Sequence, residues 1–239
     1  MRNYLFSPLS RSTSLRVSGK RIFLLTLRAA LFFVILAGMT SCLGVNAEIV
    51  LNADSTGTLS LEYRISRILD SLGKLDGNEG RPPLPVGRID LERTLDRIPG
   101  MKLLSFASKE DLKDRIITAK LQFNDIDSLL TFLDAAGEKA VFQGGEQKKL
   151  IVTLNQGAQR QSPEMEALIA QITQGYRVAL SMSVPSNAAA ALLDGEGSPL
   201  KPESMNSVSL VSRGKKASCS LPLETVLSAE KGIRVEFSW

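Results

Sequence analysis

The sequence predicts an α+β fold in which an antiparallel sheet, built from repeated hairpins, carries short helices packed on one face. Three observations predict it: apolar and polar residues alternate in several short segments, polar turns separate these segments closely, and a helical pattern follows each pair. Strands that follow one another this closely must pair antiparallel, because a parallel crossover needs about a dozen residues or more.

The alternation is clearest in two segments, YRVALSMSV (176–184) and IRVEFSW (233–239), where every second residue is apolar. Segments 59–63 and 117–123 repeat the pattern. Each is typical of a strand with one buried face. The last residue, Trp239, falls on the apolar side of its segment, and we therefore expect it to be packed.

Four polar sequences, ADSTGT, SKEDLKD, QGGEQK and SRGKKA, each lie between two strand-like segments and predict hairpin turns. Apolar residues at helical spacing predict helices over 65–72, 129–133 and 163–172. Asp127 and Ser162 are the expected N-caps of the second and third of these helices.

Two further segments fit helices, IDLERTLDRI at 89–98 and a single turn in PLETVLS at 222–228. The order strand, turn, strand, helix occurs four times along the chain. The four units are 47–73, 101–134, 140–174 and 207–228. No residue-level identity joins them, so the repetition is one of architecture.

Two stretches, 74–88 and 185–206, are rich in proline and glycine and are predicted to be long irregular loops. The second begins with a short alanine-rich turn that fits a helix. Long loops in compact domains often carry function, and the alternative is that both are surface connections.

The net charge of +4 comes from the first 41 residues, which hold six basic side chains and no acidic one. Subtracting these six from the 29 basic residues leaves 23 against 25 acidic residues, a net charge of −2. The remainder of the chain therefore has no electrostatic reason to bind nucleic acid.

Residues 1–41 have the three-part order of a secretory signal peptide: basic residues, an apolar stretch from Ala29 to Met39, and small residues before Cys42. A membrane-spanning helix needs about 20 apolar residues, and extending this stretch would carry Arg28 into the bilayer at a cost of about 3 kcal/mol. A retained single span is one alternative. Plain cleavage, which would leave a secreted soluble protein, is the other.

The sequence MTSC at 39–42 resembles the box of small residues and cysteine that ends bacterial lipoprotein signals. It has Met39, Thr40 and Ser41 where that family commonly has leucine, alanine and glycine, and in this relaxed pattern it is similar to spirochaetal lipoproteins. The resemblance implies that Cys42 becomes the lipidated first residue of a mature domain, 42–239. The hairpin, helix and long loop that follow also resemble envelope lipoproteins with an LppM-type domain, which implies a small α+β domain beside a membrane.

Histidine is absent, which excludes Ser-His-Asp and Cys-His catalysis and histidine-ligated metals. The second cysteine, Cys219, alternates with Ala217 and Leu221, and we expect it to be a small buried side chain. Ser71 and Lys74 match the S-x-x-K pattern of penicillin-recognising enzymes, so a Ser/Lys-type hydrolase is an alternative, although the companion triplets are missing.

Two carboxylate pairs could be read as calcium ligands, Asp111 with Asp114 and Asp125 with Asp127. A turn explains the first pair, and helix capping explains the second. The sequence therefore predicts no metal site, no cofactor and no catalytic residue.

The predicted protein is a bacterial envelope lipoprotein, palmitate-bearing at Cys42 and anchored to the inner or the outer membrane, with a non-enzymatic binding or structural role. Its predicted partners are membrane lipid, through the acyl anchor, and a lipid-like or protein ligand. An apolar cleft for an acyl chain would lie beside two helix faces, unless their side chains fill the core. These faces consist of Leu129, Leu130 and Leu133, and of Leu168, Ile169 and Ile172.

Overall fold

The computed structural model describes residues 44–66, 87–112, 114–135, 139–157, 162–202, 205 and 207–239. All of these residues belong to the unit that the chain's contacts delimit as Cys42–Trp239. Cys42 itself, Ser71, Lys74 and most of the predicted loop 74–88 lie outside the described residues.

The described residues form eleven strands. They are β1 (Gly44–Leu51), β2 (Gly57–Ser66), β3 (Met101–Glu110), β4 (Asp114–Phe123), β5 (Lys139–Gln143), β6 (Lys149–Asn155), β7 (Arg177–Ser183), β8 (Ala189–Asp194), β9 (Ser209–Arg213), β10 (Lys216–Pro222) and β11 (Ile233–Ser238). The predicted turns therefore join β1 to β2, β3 to β4, β5 to β6 and β9 to β10, and all four hairpins are confirmed.

Four helices lie in the described part of the chain. They are α1 (Arg88–Leu95), α2 (Ile126–Ala135), α3 (Pro163–Thr173) and α4 (Leu223–Leu227). Each matches a helix that the sequence predicts. Gly175, with φ of +85°, lies at the exit of α3, where glycine is favoured because it has no Cβ to clash in the left-handed region.

The strands form two sheets, where the sequence predicts one antiparallel sheet. The large sheet has the order β3-β4-β2-β1-β7-β10-β9, and the small sheet has the order β5-β6-β11-β8. β1 and β7 pair parallel at the centre of the large sheet, so the wholly antiparallel prediction is wrong for this pair. The two strands are far apart in sequence, and the long connection allows the parallel direction that a short turn forbids.

One hydrophobic core joins both sheets and the helices α1, α2 and α4. It contains side chains from the buried face of each sheet, such as Leu59 and Leu180 of the large sheet and Phe237 of the small one. Leu91 of α1 and Leu129 of α2 belong to the same cluster. The alternation in β7 and β11 is confirmed, because their inward residues are buried and their outward residues are half-exposed.

The sequence predicts that the helices pack on one face of one sheet, and in the structure they do not. Helix α1 packs mainly against β3 of the large sheet, α2 against β5 of the small sheet, and α3 against α4. The α+β class is confirmed, but the second sheet contributes apolar side chains to the same core, and the helices are distributed around it.

The repeated order of strand, turn, strand and helix is confirmed in three units, β3-β4-α2, β5-β6-α3 and β9-β10-α4. In the first unit, Ile65 lies in β2 and not at the start of a helix. The rest of that predicted helix, 67–72, lies outside the described residues. Cross-strand pairing with β4 extends β2 to Ser66, which explains the difference.

The stretch 185–206 is not irregular throughout, because it contains strand β8. Alanine favours helices, but β8 pairs along its whole length with β11 and buries Leu192. Tertiary pairing therefore overrides a weak local preference. Beyond β8, the chain turns at Gly197, and Leu193 forms an isolated bridge with Pro199.

Candidate functional site

The start of β1 is the point at which Cys42 joins the described fold. Gly44, two residues after Cys42, pairs with Arg177 of β7, and Val45 pairs with Tyr63 of β2. β1 is therefore held on both sides from its first residues. In the sequence, one residue, Leu43, stands between Cys42 and this strand.

Gly44 also approaches the neighbouring strand closely. A Cβ at this position would overlap the carbonyl oxygen of Arg177. Only glycine allows this approach without displacing one of the two strands. The first residue of β1 is therefore fixed closely against β7.

A groove of about 600 Å³ opens at the same end of the large sheet, between the exit of α3 and helix α4. Its walls combine apolar and polar side chains. They include Tyr176, Arg177, Met205, Ser207, Pro222 and Thr225. A concave surface of this mixed character suits a molecule with one polar and one apolar part.

Arg177 holds a fixed position in the wall of the groove. Its Nε donates to Ser220 Oγ at 2.9 Å, and its Nη2 donates to the carbonyl oxygens of Ser207 at 2.7 Å and Ser220 at 3.2 Å. These bonds join β7 to β10 and to the segment before β9. The guanidinium is a preorganised positive charge beside apolar walls.

The sequence does not single out Arg177, Ser207 or Ser220. In the sequence, Arg177 and Ser220 are outward-facing polar residues of two predicted strands, like many other polar residues in those strands. Their contact depends on the pairing of β7 with β10, across 43 residues of sequence. No local signal reports such a contact.

Cys219 is buried, as predicted, with 1% of its surface exposed. It lies in β10 between Leu180 of β7 and Leu210 of β9. Burial raises the pKa of its thiol to about 12, although the positive charge of Arg177 acts in the opposite direction. At neutral pH the group is a thiol, which is a poor nucleophile.

Both carboxylate pairs act within their own turns. The Asp114 N–H donates to Asp111 Oδ1 at 2.7 Å and closes the β3–β4 turn. The N–H of Ser128 donates to Asp125 Oδ1 at 2.7 Å at the start of α2. Asp125, and not Asp127, is therefore the N-cap, because the helix begins one residue before the predicted cap.

The hydroxyl of Ser128 strengthens this cap. Its oxygen lies 2.7 Å from Asp125 Oδ1 and 2.7 Å from the carbonyl oxygen of Pro99. Hydrogen bonds from the Ser128 hydroxyl and N–H lower the pKa of Asp125. Among the described residues, no group of three or more acidic or cysteine side chains is placed to hold a metal ion.

Helix α2 does not leave the predicted apolar cleft. Leu129 and Leu133 are buried in the core, and Leu130 packs against it. The side chains of Leu168, Ile169 and Ile172 lie outside the described residues. A cavity of about 390 Å³ lies elsewhere, near the end of β1, with walls that include Leu51, Ile126, Phe142, Lys148, Pro185 and Trp239.

Trp239 is half-buried at this second cavity, as its place on the apolar side of the last strand predicts. Its ring lies 6.0 Å from that of Phe142, and its backbone exchanges two hydrogen bonds of 3.0 Å with Lys148. Across the described ranges, none of the helices is both long enough and apolar enough to span a bilayer.

No protein family model matches this chain, and no curated protein matches it. Among solved structures, the chain is similar to the NMR structure of the folded domain of the Mycobacterium tuberculosis LppM protein. The two share 14% identity over 74% of this chain and 88% of that chain, with a TM-score of 0.33. A TM-score this low supports no conclusion about fold or function. The spirochaetal type of signal stays a prediction.

Proposed function

We propose that this protein is a bacterial envelope lipoprotein, anchored to a membrane through lipid on Cys42, with a non-enzymatic binding or structural role. The observation that carries the proposal is the place of Cys42. It follows a basic and apolar leader, and it precedes by two residues a strand that is paired on both sides. A lipid there would anchor the folded domain directly at its sheet.

The groove beside Arg177 supports a binding role. It opens at the end of the sheet where β1 begins, and it offers a fixed positive charge beside Met205 and Pro222. An amphipathic, lipid-like molecule with an anionic head fits this combination best. Native mass spectrometry of the protein extracted from membranes checks for such a molecule.

Metabolic labelling with palmitate tests the anchor. We expect label in the wild-type protein, loss of label in Cys42→Ala, and unchanged label in the matched control Cys219→Ala. The intact mass of the wild-type protein should correspond to a chain that begins at residue 42 and carries acyl groups. An unprocessed chain that begins at Met1, with no acyl group, would end the proposal.

Thiol titration gives an independent reading on the same sample. A pKa of about 12 lowers the thiolate fraction of Cys219 at pH 8 by about three orders of magnitude relative to an ordinary cysteine. We therefore expect no reactive thiol in the folded lipidated protein and one after denaturation. A rapidly reacting thiol in the folded protein would show that Cys42 is unmodified.

A further inference from the structure

Leu112 is the most exposed large apolar side chain among the described residues. It is 96% exposed, and the next, Ile89, is 64% exposed. It lies at the tip of the β3–β4 hairpin, which the hydrogen bonds between Asp111 and Asp114 close without it. A single exposed leucine is common, so its position in the fold decides whether it has a role.

The strand register places this tip at the Gly44 end of the large sheet. Tyr63 pairs with Val45, so Arg64 stands level with Gly44. Arg64 pairs with Ile116, which pairs with Lys109 of β3. β2, β3 and β4 continue beyond that level, and Leu112 follows Lys109 by three residues.

Leu112 and the first residue of β1 therefore lie at the same end of the large sheet. Leu112 follows the last residue of β3 by two residues and lies in the turn beyond the level of Gly44. Cys42 precedes Gly44 by two residues of sequence. Two to three strand spacings, about 12 Å, separate β1 from the β3–β4 hairpin sideways.

We propose that this end of the large sheet rests on the lipid bilayer, with the side chain of Leu112 inserted among the lipids beside the acyl chains of Cys42. The inference rests on the proposed function, because one leucine is too small to hold a protein on a membrane by itself. With the anchor in place, it provides a second contact that sets the orientation of the domain.

The charges of the hairpin tip indicate which lipids it meets. Residues 109–115 contain three basic and three acidic side chains, a net charge of zero. Arg115 is paired with Glu110, with Nη2 2.7 Å from Oε1. We therefore expect the contact to be apolar and insensitive to anionic lipid.

Fluorescence quenching by lipid tests this orientation. The chain has one tryptophan, Trp239, which lines a cavity with Leu51 at the opposite end of β1. The lipidated protein is reconstituted in phosphatidylcholine vesicles that carry a spin label near the lipid headgroup. In Leu112→Trp we expect a blue-shifted emission and at least a twofold loss of the added tryptophan's intensity. The wild-type protein should show neither.

Glu146→Trp is the matched control, since Glu146 is exposed and lines the same cavity as Trp239. Quenching of Glu146→Trp, or of Trp239 in the wild type, would overturn the orientation. So would quenching of Leu112→Trp that requires anionic lipid, or a blue shift without vesicles that grows with protein concentration, which would indicate self-association.

The mass of each sample separates the two proposals. Lipid on Cys42 without quenching of Leu112→Trp would overturn the docking surface and leave the lipoprotein proposal standing. An unlipidated Cys42 would overturn both.

Discussion

The β1–β2 turn, at the Leu51 end of β1, and the groove, at the Gly44 end, are stabilised in different ways. The turn and the nearby cap of α2 close through side chains whose partners are near one another in sequence. The hydrogen bonds in the wall of the groove join residues that are distant in sequence and depend on the pairing of strands. The comparison shows which parts of this fold are local and which are not.

The β1–β2 turn illustrates the Leu51 end. The N–H and hydroxyl of Thr56 both donate to Asp54 Oδ1, and Asn52 Nδ2 donates to Thr56 Oγ1 at 2.9 Å. Asp125 caps α2 at the same end of the sheet, because it follows Phe123 by two residues and Phe123 pairs with Gly57. Short polar side chains of this kind favour turns and caps in any protein.

The groove illustrates the Gly44 end. Arg177 reaches Ser207 and Ser220, which follow it by 30 and 43 residues. Neither contact exists until β7 and β10 have paired. We therefore expect a substitution at the Leu51 end to lower the free energy of unfolding by the usual cost of the contact that it disturbs. A substitution at the Gly44 end should cost less where the end of the strand can move.

The largest effect is expected for Gly57→Ala, at the Leu51 end. Gly57 is buried, and a Cβ there would overlap the carbonyl oxygen of Val50 and the ring of Phe123, which is itself fully buried. Overpacking of this kind costs about 1–3 kcal/mol in the free energy of unfolding. Urea unfolding monitored by circular dichroism measures it. An unchanged midpoint would contradict the packing described for this end.

Asp125→Ala should have an intermediate effect, about 1 kcal/mol, because it removes the N-cap of α2. Asp127→Ala is the matched control and should cost less, since Asp127 lies inside the first turn. Urea unfolding of both variants measures the difference. Equal losses in the free energy of unfolding for the two variants would contradict the assignment of Asp125 as the N-cap.

The same cap predicts a pH dependence. The pKa of Asp125 is lower in the folded protein, so its stabilisation is present above the unfolded pKa of about 4 and is lost as the pH falls through the folded value. Asp125→Asn should keep the cap and flatten the acid limb of stability below pH 4. A steeper acid limb in Asp125→Asn would contradict the assignment.

The smallest effect is expected for Gly44→Ala. The added Cβ would meet the Arg177 carbonyl oxygen, but Gly44 is the first residue of β1 and only half-buried. Fraying of the strand end can relieve the overlap, so we expect a loss below about 1 kcal/mol. Urea unfolding of Gly44→Ala and Gly57→Ala measures the loss in the free energy of unfolding for each variant. A larger loss for Gly44→Ala than for Gly57→Ala would contradict this ranking.

Much of the fold could be predicted from the sequence because its signals are local. The alternation in β7 and β11, the four hairpin turns and the α3 boundaries at Ser162 and Gly175 all match the structure. β8 could not be predicted, because its alanines acquire strand geometry only by pairing with β11. The site divides in the same way: the leader pattern singles out Cys42, whereas the groove depends on distant contacts.

The sequence by itself determined the buried faces of strands such as β7 and β11, the four hairpin turns, and the excess of basic residues in the first 41 positions, which ends just before Cys42. Only the tertiary structure decided that the strands divide into two sheets, that β1 lies parallel to β7, and that Arg177 meets Ser220 beside a groove. The physical reason is that backbone hydrogen bonds are alike in every strand. Alternation reports the buried face of a strand, while its neighbours are chosen by packing of the whole core.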